Sequence, residues 1–132
     1  MEIVELGIGL SVVEIAMEEK HHHPFGSVHG GVYAALIDTA CFWAPYGDMD
    51  EGLGWTTLDL QTNNLTSAKE GTITARGSCI RTGRTFALTE CIVTDQSGRV
   101  LAHGTSKLLI GKELLKIGSL EGVLPPPKFL NV

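Results

Sequence analysis

Residues 21–47 read HHHPFGSVHGGVYAALIDTACFWAPYG, and the fold of this stretch decides the rest. Pro24 and Gly26 break either regular element, so 21–26 is a loop. From Val28 or Gly30 to Tyr46 the chain mixes small and aromatic residues with Leu36 and Ile37. It is too long for a strand and predicts a helix, closed by Pro45 and Gly47. One carboxylate, Asp38, interrupts it.

On a helix, Asp38 has Ala34, Ala35, Cys41 and Phe42 three and four residues away, and none can pair with an acid. An aspartate in this position marks either a solvated stripe or a chemical need. The stripe holds no other charge, and an ionised carboxylate sealed from water costs several kcal/mol. A general base or nucleophile is therefore the favoured reading.

His29-Gly30-Gly31 opens the same helix. The first N–H groups of a helix have no internal partner and carry the positive end of its dipole. Glycines let a ligand approach them, an arrangement suited to a polarised carbonyl; a loop that merely needs glycine has the same letters. Gly30 and Asp38 are eight residues apart, roughly 12 Å along a helix axis at about 1.5 Å per residue. That is too far for both to act on one carbon from one helix. If both serve one reaction, each comes from a different subunit, and a dimer is the active unit.

Outward from the helix, residues 9–18 predict a first strand. Four further strands are expected over 55–65, 71–80, 86–94 and 100–110, with Leu58 and Leu60 on one face of the first of these. Arg81-Thr82-Gly83-Arg84 and Asp95-Gln96-Ser97-Gly98 make hairpin turns, so the strands form an antiparallel meander. The expected fold class is α+β: a long central helix wrapped by a curved antiparallel sheet of five or six strands. Residues 1–110 make the domain. Residues 111–132 make a tail whose apolar side chains predict docking on the domain or on a partner chain.

With 132 residues and a net charge of −5, the chain suits one domain and has no basic footprint for nucleic acid. No basic segment followed by an apolar run opens it, and its longest apolar stretch contains Asp38, so neither a signal peptide nor a membrane span is expected. Cys41, Cys79 and Cys91 share no metal spacing and read as reduced thiols, which points to the cytoplasm.

The stretch HPFGSVHGGVYAALIDTA resembles the motif of the hotdog-fold thioesterases, in particular the PaaI-like acyl-CoA thioesterases. Their pattern is Asn-Pro, a Gly, then His-Gly-Gly, with an Asp nine residues after the His. His29 and Asp38 hold that spacing, and TTLDLQTNNLTSAKEG and RTGRTFALTECIVTDQSGRVLAHGTSK extend the likeness to about residues 7–110. The resemblance implies hydrolysis of acyl-CoA or aryl-CoA thioesters with no cofactor and no metal. Asp38 would activate water or attack, and the Gly30 amide of the partner subunit would polarise the carbonyl. Thr57, or Thr56 one residue out of register, would hold the water. His23 stands where the family has Asn and would take over its hold on the carbonyl. His29, Gly31 and Phe42 would line the substrate site. Arg81, Gly83 and Arg84 would meet coenzyme A, although a solvated hairpin has the same residues. A homodimer is the minimum unit, and the family habit of pairing dimers implies a homotetramer.

Two other readings compete. One is a hotdog protein that binds acyl-CoA without chemistry. The other takes His21, His22, His23, His29 and His103 as metal ligands; three consecutive histidines cannot all face one ion from a regular strand, since alternate side chains diverge, and the loop over 21–26 relaxes that limit.

Overall fold

The computed structural model describes residues 1–114. Six strands, β1 (Glu2–Gly7), β2 (Leu10–Ala16), β3 (Gly54–Asn64), β4 (Thr72–Thr82), β5 (Phe86–Thr94) and β6 (Val100–Gly111), form one antiparallel sheet around helix α1 (Gly30–Trp43). This is the hotdog architecture. The predicted helix ends slightly early, and Ala44–Gly47 continues it as a tighter 3-10 turn with Pro45 inside.

The sheet order is β1-β2-β4-β5-β6-β3. Two expectations change here. The first strand is a hairpin, β1 and β2, turning at Gly9 with φ +70. And β3 does not pair with β4: the meander holds for β4, β5 and β6, while β3 crosses to pair with β6 at the sheet edge. The connection over 65–71 passes the start of α1 and is tied there. Ala68 O accepts from Val28 N–H at 2.9 Å, and Thr66 O from the Tyr33 hydroxyl at 3.0 Å.

The register of β3 slips between Thr57 and Asp59, a bulge centred on Leu58. A bulge inserts one residue and turns the following side chains over. Thr57 and Leu60 consequently both face the helix side, and Leu58, expected beside Leu60, is 50% exposed.

Helix α1 buries Tyr33, Leu36, Ile37, Ala40 and Cys41, spaced three and four apart, against Val13, Ile73, Ala75, Val93 and Leu101 of the sheet. The sheet covers one face only. Gly31 and Ala35 are exposed, and Ala34, Asp38, Thr39 and Phe42 are half-buried, so the opposite face is open in the single chain. The covered face sits unusually close to β4 and β6. A Cβ on Gly77 would meet the Ala40 carbonyl and lie 2.8 Å from Ser11 Oγ, and one on Gly104 would lie 2.6 Å from Ile37 Cγ2. Ser11 Oγ donates to that Ala40 carbonyl at 2.6 Å, fixing the helix against β2. Backbone on both sides leaves no room to yield. Gly77→Ala is expected to cost about 1–3 kcal/mol, read as a lower urea midpoint with an unchanged slope.

Candidate active site

The start of α1 is organised by His29. Its backbone is extended (φ −68, ψ 134), and its Nδ1 accepts from Gly31 N–H at 3.0 Å. Its carbonyl takes Val32 N–H at 2.9 Å. With Nδ1 accepting, the neutral ring keeps its proton on Nε2. Gly30 N–H has no acceptor among the described residues. One free amide thus stands at the positive end of the helix, flanked by a histidine N–H.

The loop before it is held by His23. Its Nδ1 accepts from Phe25 N–H at 3.0 Å, so Nε2 carries the proton and donates to Ser27 Oγ at 2.8 Å. Both ring nitrogens are engaged within the loop, which is closed by His23 N–H to Ser27 O at 2.9 Å. His22 meets Lys69 O at 2.7 Å, His21 Nδ1 accepts from Glu18 N–H at 2.8 Å, and His103 lies 3.4 Å from Glu90 Oε2. Each histidine of the run thus has its own partner, and among the described residues no three metal-ligating side chains come together.

Asp38 is half-buried on the open face of α1, not sealed in the core. The helix gives it no partner, but the sheet does: Thr57 Oγ1 donates to Asp38 Oδ1 at 3.2 Å. The bulge at Leu58 follows directly, so β3 aims Thr57 at the acid; Thr56 faces away, exposed. Asp38 Oδ2 has no partner among the described residues. The carboxylate is oriented through one oxygen and free at the other.

One turn on, Phe42 packs on Trp55 (centroids 5.5 Å apart) and on Trp43 (5.4 Å), with Tyr46 closing the group at 5.3 Å from Trp43. Trp55 Nε1 donates to Phe42 O at 2.8 Å. Trp55, with Phe42 and Tyr46 packed against it, forms a second small core with Ala87, Leu108 and Ile110, and Phe42 remains half-buried beside Asp38. At the other end of the helix a shallow groove of ≈ 460 Å³ runs between His29, Gly31, Val32 and Ala35 on one wall and Ile15 and His21 on the other.

Arg81 and Arg84 flank the β4–β5 turn, where Gly83 N–H donates to Phe86 O at 2.7 Å. Both guanidinium groups are exposed and have no carboxylate partner among the described residues. The structure does not bring them to Asp38 of the same chain. The three thiols are free; burial pushes Cys41 up to about 11 and raises Cys91 and Cys79 as well, so none is an activated nucleophile.

The sequence reading missed Asn64. It lies at the end of β3 against Gly30, where a Cβ on the glycine would sit 2.9 Å from Asn64 Nδ2. No local spacing signals that contact.

The family description "Thioesterase superfamily" matches residues 25–102. A 1,4-dihydroxy-2-naphthoyl-CoA hydrolase of Listeria monocytogenes is 28% identical over 113 residues, 86% of this chain and 92% of that one. A thioesterase structure from Haemophilus influenzae superposes with a TM-score of 0.80 at 25% identity, over 86% of this chain and 80% of that one. A hypothetical thioesterase of Streptococcus pneumoniae, solved with coenzyme A, gives a TM-score of 0.75 at 26% identity, covering 83% and 84% of the two chains.

Proposed function

This chain belongs to the thioesterase superfamily, and from that premise we propose that it hydrolyses acyl-CoA or aryl-CoA thioesters to the free carboxylic acid and coenzyme A. The observation that carries the reading is the open helix face that ends in one unpartnered amide, Gly30 N–H, and bears one oriented carboxylate, Asp38.

The two groups act from different subunits. Strand β3 is a sheet edge of 11 residues with unpaired backbone on its outer side, a template for pairing with a second copy. Two-fold pairing there brings one protomer's open helix face toward the other's. The thioester carbonyl accepts from Gly30 N–H of one subunit. Asp38 of the partner subunit, held by Thr57, takes a proton from water through Oδ2 while the water oxygen bonds to the carbonyl carbon. The tetrahedral oxyanion collapses, the C–S bond breaks, and the proton goes to the departing thiolate. Direct attack by the carboxylate, with water opening the resulting anhydride, uses the same contacts.

His23 acts here as a positioning residue, fixing the loop through Phe25 and Ser27 and so the start of α1. The groove beside His29 and Gly31, and Phe42 at the far end, offer apolar wall for the acyl or aryl part. Arg81 and Arg84, with the close turn at Gly83, offer the coenzyme's phosphates planar donors. Exposed Leu10, Leu88 and Ile92 on the outer sheet suit a further pairing of dimers into a tetramer. No described helix is long and apolar enough to cross a membrane, and three free thiols fit a reducing compartment, the cytoplasm.

The test is a panel of short, long and aryl-CoA thioesters, with released coenzyme A read by a thiol reagent. Cys41 and Cys91 are buried and Cys79 is half-buried, all three raised by burial, so a no-substrate blank subtracts at most a fixed, stoichiometric thiol signal. A preferred thioester is expected at kcat/KM of about 10⁴ M⁻¹s⁻¹ or higher. A protein that binds thioesters and releases no thiol would be a sensor, and the proposal would fail.

A further inference from the structure

Asn64 closes β3, with its backbone in register with Ala102 of β6. Its carboxamide stands against Gly30 on the side that the missing Cβ leaves open. Asn64 is exposed in the single chain, and its carboxamide makes no hydrogen bond within the described residues, which leaves two donors and an acceptor for another molecule. Beside it, Gly30 N–H is equally unpartnered. Two sets of free donors therefore meet at one spot, one on a helix end and one on a strand end.

Folding alone does not account for this glycine. Gly77 and Gly104 are hemmed in by backbone, whereas a Cβ on Gly30 would meet only the movable tip of Asn64. Nor is Gly30 among the residues with positive φ. The space kept clear at Gly30 is space around an amide and a carboxamide.

We infer that Asn64 supplies the second hydrogen bond to the thioester carbonyl, its Nδ2–H joining Gly30 N–H on the same oxygen. This rests on the reading that the Gly30 amide meets that carbonyl. A single N–H leaves most of a developing oxyanion's lone pairs unmet, and donors aimed at developing charge strengthen as the charge grows. A side chain at the end of a paired strand holds its position better than one on a loop. His23 is not free for the task, since both its ring nitrogens bind their own loop.

Asn64→Asp and Asn64→Ala remove the donor, the first with almost no change of shape. Both are expected to lower kcat by about 10²-fold with KM little changed. The thermal midpoint should hold, since no hydrogen bond of the fold is lost. The second readout is the infrared band of the labelled thioester carbonyl bound to Asp38→Asn protein, using the best substrate of the panel. Losing Asn64 should move it to higher wavenumber. Full turnover with an unmoved band would overturn the inference and leave the hydrolase reading standing. If wild type bound the thioester without cleaving it, the hydrolase reading would fall, and the band would still decide on Asn64.

Discussion

Asp38→Asn is expected to lower kcat by about 10²–10⁴-fold, the range for losing a positioned general base. The fold should be indifferent to it. Asn has the same shape, its Oδ1 still accepts from Thr57 Oγ1, and the site is half-buried on an open helix face, so no core contact is lost. Binding should survive as well, because the donors proposed for the carbonyl, Gly30 N–H and Asn64, lie elsewhere. What goes is the ability of the second oxygen to take a proton or attack carbon. A loss confined to kcat, with KM and the thermal midpoint close to wild type, is the signature of an interaction made only in the transition state. Measured release of coenzyme A at the wild-type rate would mean that water is activated by some other group, and the proposed mechanism would be abandoned.

The helix and the β4–β6 meander were legible because their signals are local. Length, a small-and-aromatic mix and the stop at Pro45 and Gly47 mark α1, alternation marks the strands, and the turns at Gly83 and Gly98 follow short-range chemistry. β1 was hidden because Glu2 and Glu5 break up an edge strand with one solvated side, leaving Leu6 as its fully buried anchor. The partner of β3 was not legible because pairing is decided across the chain. The 65–71 connection looks like any loop until Ala68 and Thr66 are seen tied to the start of α1.

The site divides the same way. The Asp38 and Gly30 positions came from motif and spacing, but the Thr57 bond depends on a bulge at Leu58, and a bulge has no period. His23 is the instructive case. Its engagement with Phe25 and Ser27 spans only four residues, and an imidazole flanked by a backbone N–H and a serine within one tight loop was a readable local pattern. Asn64 had no such signal, since its neighbour is Gly30, on a different element.

Gly30→Pro tests the other half of the mechanism, and mixing it with Asp38→Asn tests whether the site is shared. Gly30 is the first helical residue, a place where proline's fixed φ is already suited and its missing N–H costs the fold nothing. His29 before it is already extended, as a residue preceding proline prefers to be. The substitution therefore deletes the Gly30 N–H, pushes the tip of Asn64 aside with its Cβ, and puts ring carbons where the carbonyl would dock. A loss of at least about 10²-fold in kcat/KM is expected, with the chain still folded. Each variant alone is then inactive for a different reason. Refolded together from denaturant, half the dimers carry one chain of each kind. In such a dimer one site has an intact Gly30 from one subunit and an intact Asp38 from the other, while the second site has neither. About a quarter of wild-type activity should return, as two-fold symmetry with one good site in every mixed dimer requires. Were both groups taken from the same chain, no arrangement of these subunits would contain a complete site, and the mixture would stay as inactive as its parts.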